Sequence, residues 1–251
     1  MHFPAPLIAA LKRARQVVIL TGAGVSAESG LATFRDKQAG LWEQFDPMQL
    51  ATREAFERDP ELVWGWYEWR RMQVMRAAPN PGHLAIKACA DRIPRLTLIT
   101  QNVDDLHERA GSDPVHHLHG RIAAPYCLSC RQAHVLPAAI PQEPDNGRRL
   151  PPPQCLQCGG TVRPGVVWFG EMLPQYEWDL AARAASECDV FFCIGTSSLV
   201  YPAASLLPIA ARAGAVTIQV NPAGTADDQL AFDLRGRSGV LLPELVRATW
   251  G

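Results

Sequence analysis

Four cysteines fall into two tight pairs, Cys127-Leu-Ser-Cys130 and Cys155-Leu-Gln-Cys158, with 24 residues between them. Each pair presents two thiolates from one turn, and four sulfurs complete a tetrahedron, the arrangement that structural zinc takes. Gly159 and Gly160 follow the second pair and supply the backbone freedom such a turn needs. Redox chemistry at one pair would leave the other unexplained. A site closed by four cysteines has no open position for water, so this zinc is expected to hold structure and not to catalyse. A nucleic-acid-binding ribbon is the competing use. The surrounding Arg121, Arg131, Arg148, Arg149 and Arg163 have few aromatics between them, which argues against it.

A second constellation starts at Val17-Val18-Ile19-Leu20, a strand-like run that leads into Thr21-Gly22-Ala23-Gly24-Val25-Ser26-Ala27. Glycines at this position let a backbone approach a pyrophosphate, and the helix that follows points its N-terminus at the anion. A redox dinucleotide enzyme would show a second strand ending in Asp or Glu about 20 residues later. Here the chain continues as Glu28-Ser-Gly-Leu-Ala-Thr-Phe34-Arg35-Asp36, which reads as a loop closing over a nucleotide with Arg35 at a phosphate.

Other apolar runs also end in small polar residues. Leu96–Ile99 leads into Thr100-Gln101-Asn102-Val103-Asp104, Val190–Ile194 into Gly195-Thr196-Ser197-Ser198, and Val216–Val220 into Asn221. Ligands of open α/β sheets bind beyond the carboxyl ends of strands, so these groups define a nucleotide crevice. His116, His117 and His119 lie between the first two runs. Their spacing supplies no clear second metal set. His119, next to Gly120, is the candidate general base, because imidazole titrates near neutrality.

The elements that must position these groups are strands alternating with helices, the latter around Pro81–Arg92 and Trp178–Glu187. Near-continuous apolar strands covered on both faces predict an α/β fold with a Rossmann-like, mostly parallel sheet. Residues 1–30, 80–120 and 165–251 form this nucleotide-binding part. Residues 31–79, rich in helix formers and in Trp42, Trp64, Trp66, Tyr67 and Trp69, form a helical insert, and residues 121–164 the zinc-binding insert. Together the inserts make a smaller domain. The proline-rich stretch Pro137–Pro153 reads as a mobile surface segment.

Twenty-four basic and 25 acidic residues leave a net charge of −1, so no bulk field draws the chain to nucleic acid or to an anionic membrane. No apolar run is long enough to span a bilayer. Seven cysteines, four of them in the pairs, suit a reducing compartment, and a cytoplasmic location is expected.

Taken in order, Gly22 to Arg35, Gln101-Asn-Val-Asp104, His119-Gly120, the two cysteine pairs, Val167-Trp-Phe-Gly-Glu171 and Gly195-Thr-Ser197 resemble the sirtuins, over about residues 8–247. Sirtuins are NAD-dependent protein-lysine deacylases. The resemblance implies His119 as catalytic base, with Asn102 and Asp104 holding the nicotinamide ribose and carboxamide. Gln101 would contact the ribose. Gly22, Ala23, Gly24, Ser26, Ala27, Phe34, Arg35, Gly195, Thr196 and Ser197 would line the NAD site. Asn221 would lie at the adenosine ribose and Ser238 near the adenine. Ala223 stands where the family often carries Glu, a departure at that end. Val167, Trp168 and Phe169, with Ser198–Tyr201, would take the acylated-lysine protein or peptide as an added strand. The implied chemistry has the acyl oxygen attack the anomeric carbon of NAD as nicotinamide leaves. His119 then deprotonates a ribose hydroxyl, and free lysine and O-acyl-ADP-ribose result.

Tyr67 and Arg70 are three residues apart and share a face if this stretch is helical. A phenol and a guanidinium in an apolar channel would select a carboxylate. The pair resembles the Tyr-x-x-Arg motif of class III sirtuins, which remove succinyl, malonyl and glutaryl groups, and Ala51 matches the small residue that widens their acyl pocket. Succinyl and malonyl groups are therefore expected to be preferred, with some deacetylation. The competing expectations are an NAD-dependent protein ADP-ribosyltransferase and a zinc-ribbon module that only binds a nucleotide.

Overall fold

The structure is a computed structural model and describes residues 2–32, 46–145, 147–197, 199–223 and 229–251. Phe34 and Arg35, expected at the nucleotide, lie outside the described residues, as do Trp42 and Ser198. In chain order the elements are α1 (Ala5–Arg13), β1 (Gln16–Thr21), α2 (Ala23–Ala27), α3 (Pro47–Leu50), α4 (Arg53–Arg58), α5 (Pro60–Arg76), α6 (Pro81–Ala90) and β2 (Arg95–Thr100). There follow α7 (Leu106–Arg109), β3 (Val115–His117), β4 (Tyr126–Cys127), β5 (Val162–Arg163), α8 (Gln175–Glu187), β6 (Val190–Ile194), α9 (Leu206–Arg212), β7 (Val216–Val220), β8 (Phe232–Leu234) and α10 (Ser238–Trp250).

Six strands form one sheet in the order β3-β2-β1-β6-β7-β8, and every pairing is parallel. Successive side chains of a strand point to opposite faces. Val17, Ile19, Phe192, Ile194, Ile218 and Val220 therefore pack beneath α1, α6 and α10, with Leu7, Ile86 and Leu242 among their partners. Val18, Leu20, Phe191 and Cys193 face the other way, against Ala181 and Ala185 of α8 and Leu206 and Ala210 of α9. The four apolar runs of the sequence are β1, β2, β6 and β7; two further strands, β3 and β8, extend the edges. From β1 the chain builds outward through β2 to β3, then returns to the other side of β1 as β6. The direction reverses between β1 and β6, and the crevice opens beyond their carboxyl ends.

A third core joins the two inserts. Phe56, Val63, Trp66, Tyr67 and Trp69 from α4 and α5 pack with Ile122, Val162, Val166 and Trp168. α5 starts at Asp59, whose carboxylate accepts the Leu62 N–H, with Pro60 in the first turn. It is buried nearly all round and not along one stripe.

The proline-rich stretch is one reason. Expected to be a mobile surface segment, it is mostly exposed, and it meets α5 at Glu143 and Leu150. Leu150 N–H donates to the Glu61 carbonyl (3.0 Å), and Glu143 N–H meets Met72 Sδ (3.3 Å). The buried Glu143 carboxylate takes two bonds from Arg148 (2.7 and 3.1 Å). Gly65 permits the approach, since a Cβ there would lie 2.2 Å from the Arg148 carbonyl oxygen. Proline content reported the missing N–H donors of this stretch but not the surface waiting for it. Among the described residues, no helix is long and apolar enough to cross a membrane.

Candidate active site and metal centre

The two cysteine pairs converge. One ligand atom from each of Cys127, Cys130, Cys155 and Cys158 lies within 4.8 Å of the others, with Cys127–Cys158 Sγ atoms 3.5 Å apart and Cys130–Cys155 3.7 Å. Zn–S bonds of ~2.3 Å in a tetrahedron require sulfurs ~3.8 Å apart, so the four fit one zinc ion. The N–H groups of Cys130 and Ser129 hold the Cys127 thiol down at about 6, and those of Cys158 and Gln157 lower Cys155, while the sulfurs of Cys158, Cys127 and Cys155 push Cys130 up to about 12. Antiparallel pairing of β4 with β5 sets Cys127 opposite Val162, tying the sulfur cluster to the small-domain core.

At the crevice, the loop after β1 and the turn after β6 interlock. Gly22 N–H donates to the Ile194 carbonyl (3.0 Å) and Gly24 N–H to the Gly195 carbonyl (2.8 Å). A Cβ on either Gly22 or Gly24 would come within 2.8 Å of Gly195, which itself has a φ of +61°. These glycines thus serve chain-to-chain contact as well as approach to a pyrophosphate. Ala23, Ser26 and Ala27 follow in α2, a single short helix at the crevice floor.

Asn102, Ser26 and Asp104 form one buried network. The Asn102 amide donates to the Gly22 carbonyl and to Ser26 Oγ (both 3.1 Å), and Ser26 Oγ donates to Asp104 (2.9 Å). Burial pushes the Asp104 carboxyl above its usual range, against the pull of Leu106 N–H and the Ser26 hydroxyl. Gln101 donates to Thr196 Oγ1 (2.9 Å), and Asn221 donates to the Thr196 carbonyl (2.9 Å). Four strand ends are thereby joined through side chains. Ser197 is exposed beside them. Ser238 lies farther along: its hydroxyl and the Gly239 N–H both go to Glu28 (2.8 and 2.9 Å), which anchors the start of α10.

His119 follows β3 directly. Its Nδ1 lies 3.0 Å from the Gln101 carbonyl. A carbonyl only accepts, so Nδ1 carries the proton and Nε2 keeps its lone pair. Burial lowers the pKa, with the Gln101 bond working against it, and the ring is neutral at neutral pH. This is the protonation state a general base requires.

Val167 N–H donates to the His119 carbonyl (2.8 Å) and Phe169 N–H to that of Ala51 (2.9 Å), so the 166–169 segment bridges the two domains. The Ala51 methyl is buried next to it. Phe169 is 39% exposed, whereas Trp168 is only 1% exposed and points into the core. There Trp168 Nε1 donates to the Tyr67 hydroxyl (3.1 Å). Tyr67 packs edge-on to Trp66, over whose ring the Arg70 guanidinium lies at 5.1 Å. Burial lowers Arg70 from its ordinary value, with Tyr67 and Asp104 raising it. The structure thus brings Ala51, Tyr67 and Arg70 to the wall carrying Val167–Phe169.

Two further residues hold this site together, Thr100 from the polar run at the end of β2 and Asn80, which motif reading passed over. Thr100 Oγ1 accepts the Asn102 N–H (3.0 Å), and the Asn80 amide donates to the Val25 carbonyl (2.7 Å). Asn80-Pro81 ahead of an apolar run was a readable helix start; its reach to α2 was not.

The Sir2 family profile matches residues 22–202. An NAD-dependent protein deacylase of Methylococcus capsulatus is 57% identical over 99% of this chain and 98% of its own length. NAD-dependent protein deacylase 1 of Pseudomonas aeruginosa is 53% identical over 94% and 95%. Among solved structures, a Sir2 homologue in complex with NAD superposes with a TM-score of 0.90 at 44% identity, covering 99% of this chain and 94% of that one. A Sir2 complex with a p53 peptide and NAD gives 0.83 at 27% identity, over 98% of both. The glycine loop, the His119 environment and the four-cysteine cluster all fall within this likeness, and the chain belongs to the Sir2 family.

Proposed function

We infer that the protein is an NAD-dependent protein deacylase whose acyl pocket prefers acidic groups such as succinyl and malonyl. The deacylase reading is supported by the close relatives and by a neutral His119 with Nε2 available. The acidic preference is carried by one observation: Tyr67 and Arg70 stand on the same stretch of α5, beside Ala51 and the 166–169 segment, in an otherwise apolar wall. A desolvated guanidinium gains from a carboxylate and gains nothing from a methyl group.

NAD supplies the electrophilic ribose carbon and nicotinamide as leaving group. The chain's own residues do the rest. Asn102 and Asp104 bind the nicotinamide end, with Gln101 at its ribose. Gly22, Ala23, Gly24, Ser26, Ala27, Gly195, Thr196 and Ser197 surround the phosphates and ribose. Asn221 and Ser238 serve the adenosine end. Val167 and Phe169 pair with the acyl-lysine peptide, and His119 Nε2 takes the proton of a ribose hydroxyl. Zinc on Cys127, Cys130, Cys155 and Cys158 holds the small domain.

A panel of succinyl-, malonyl-, glutaryl- and acetyl-lysine peptides with NAD, read by mass spectrometry, tests the preference. Arg70→Met is expected to reduce kcat/KM on succinyl-lysine by about 10- to 100-fold, the value of bonds to a charged group, and to spare acetyl-lysine. An unchanged succinyl-to-acetyl ratio in Arg70→Met refutes the pocket.

A further inference from the structure

Trp168 sits in the segment that faces the substrate peptide, yet its indole turns away. The backbone bonds of Val167 and Phe169 fix their N–H groups toward His119 and Ala51, and the side chain between them enters the core beneath α5. Trp168 is clamped there on several sides. The Arg163 guanidinium lies 3.5 Å from its ring centroid, and Phe56 packs against it at 5.2 Å. Arg163, itself 1% exposed, pairs with Glu171 (2.5 and 2.9 Å) and donates to the Val166 carbonyl (2.8 Å). Glu171 in turn accepts the Trp168 N–H (2.8 Å). Indole position and backbone position are both determined.

From that fixed place Nε1 reaches the Tyr67 oxygen at 3.1 Å. An indole N–H only donates, so it occupies a phenol lone pair and leaves the phenol's own proton to be given elsewhere. Accepting one hydrogen bond also polarises the hydroxyl as a donor. Burial pushes the Tyr67 pKa upward, which keeps that proton in place at neutral pH.

We propose that Trp168 is a positioning residue for acyl-group selection: its N–H holds the Tyr67 hydroxyl as a donor toward the acyl carboxylate beside Arg70. The proposal rests on the acidic-acyl reading above. It also assigns the conformation of the pocket to the strand after the zinc cluster, because β5 carries Arg163.

The test compares kcat and KM for succinyl- and acetyl-lysine peptides in wild type, Trp168→Phe, Tyr67→Phe and the double variant. Phenylalanine keeps an aromatic ring under Arg163 and removes the N–H. The expected result is a five- to tenfold rise, roughly one hydrogen bond's worth, in KM for the succinyl peptide. The succinyl KM should rise more than the acetyl KM, so the succinyl-to-acetyl ratio falls in each single variant, and Trp168→Phe should add nothing to Tyr67→Phe. If Trp168→Phe does not fold, site-specific replacement of the Trp168 indole by benzothiophene keeps the bicyclic shape without the N–H. Equal losses on both peptides, or additive losses in the double variant, overturn the role of Trp168 while Arg70→Met still reports the acidic pocket. A wild type without succinyl preference overturns both.

Discussion

Two buried histidines outside the catalytic step make the fold acid-sensitive in a way that can be calculated. His83 is fully buried at the third position of α6, where Nδ1 accepts the Asn80 N–H (3.3 Å) and closes a capping box. His107 is 1% exposed, bonded through Nε2 to Thr21 (2.9 Å), and its ring meets that of His83 at 4.8 Å. His83 Nε2 and His107 Nδ1 are buried and have no partner among the described residues. Burial, with Arg109 adding repulsion, lowers His83 to about 4; burial, with His83 adding repulsion, lowers His107 to about 3. Glu108 pulls His107 the other way, too weakly to reverse the shift.

Both folded-state values lie below the unfolded value of 6.5. Below that pH the unfolded chain takes up protons that the native state refuses, so stability is full above about 6.5 and falls with acid until pH passes the folded values. At 1.36 kcal/mol per pH unit, moving from pH 7 to 5 costs about 2 kcal/mol for each ring. That is a large share of a typical total of ~5–15 kcal/mol. His83→Gln isolates one ring, because Gln at this helix position can still close the capping box. Wild type and variant share the other titrating groups, the zinc cysteines included, so the difference between their melting curves cancels them except for His107, which also loses the repulsion of His83 and so adds to the change in the same direction. The acid-induced drop in Tm between pH 7 and 5 should be smaller in His83→Gln by about 4–8 °C. Parallel curves, whatever their offset, would refute the argument.

His119→Ala should abolish turnover and leave Tm nearly unchanged; near-full activity in the folded variant would remove His119 from the mechanism. The acid limb of wild-type kcat should have its midpoint below 6.5, since only the neutral ring is a base and burial lowers its pKa. Gly65→Ala should lower Tm, because the gain of about 1 kcal/mol in helix propensity is outweighed by a Cβ 2.2 Å from a backbone oxygen. A raised Tm would show that the stretch over α5 yields freely. Removing zinc by Cys155→Ala should cost activity and near-UV circular dichroism together; a zinc-free protein that is folded and fully active contradicts a structural role.

The features legible in the sequence were those whose physics is local. Four doubly covered strands read as unbroken apolar runs, and four cysteines read as a metal cluster from spacing alone. β3 and β8 were missed because each is three residues long and only partly apolar: Val-His-His and Phe-Asp-Leu carry no alternation strong enough to stand out. The seating of Pro137–Pro153 on α5 was illegible because it depends on one glycine and on a carboxylate–guanidinium pair within the stretch. Trp168 was read from the sequence only as part of a segment expected beside the peptide. Its indole turns inward between the backbone bonds of Val167 and Phe169, to where Tyr67 lies, 101 positions away in the chain.

The placement of the zinc cluster explains why a closed metal site matters to an enzyme whose chemistry is proposed at His119. The NAD-facing floor is fastened by the sheet itself, through Gly22, Gly24, Asn102 and Thr196 on adjacent strand ends. The acyl wall has no such support. It hangs from α5 and the 166–169 segment, and their core reaches the sulfur cluster through Val162, the partner of Cys127 across β4 and β5. Among the described residues, the backbone bonds between floor and wall include Val167 to His119, Arg121 to Gly165, and Ile122 to Val103. Zinc therefore acts on the half of the crevice that recognises the acylated lysine. Loosening it should disturb acyl recognition before it disturbs the nucleotide, because Asn102 and Asp104 meet the small-domain core only through Val103 between them, whereas α5 and Trp168 lie within it.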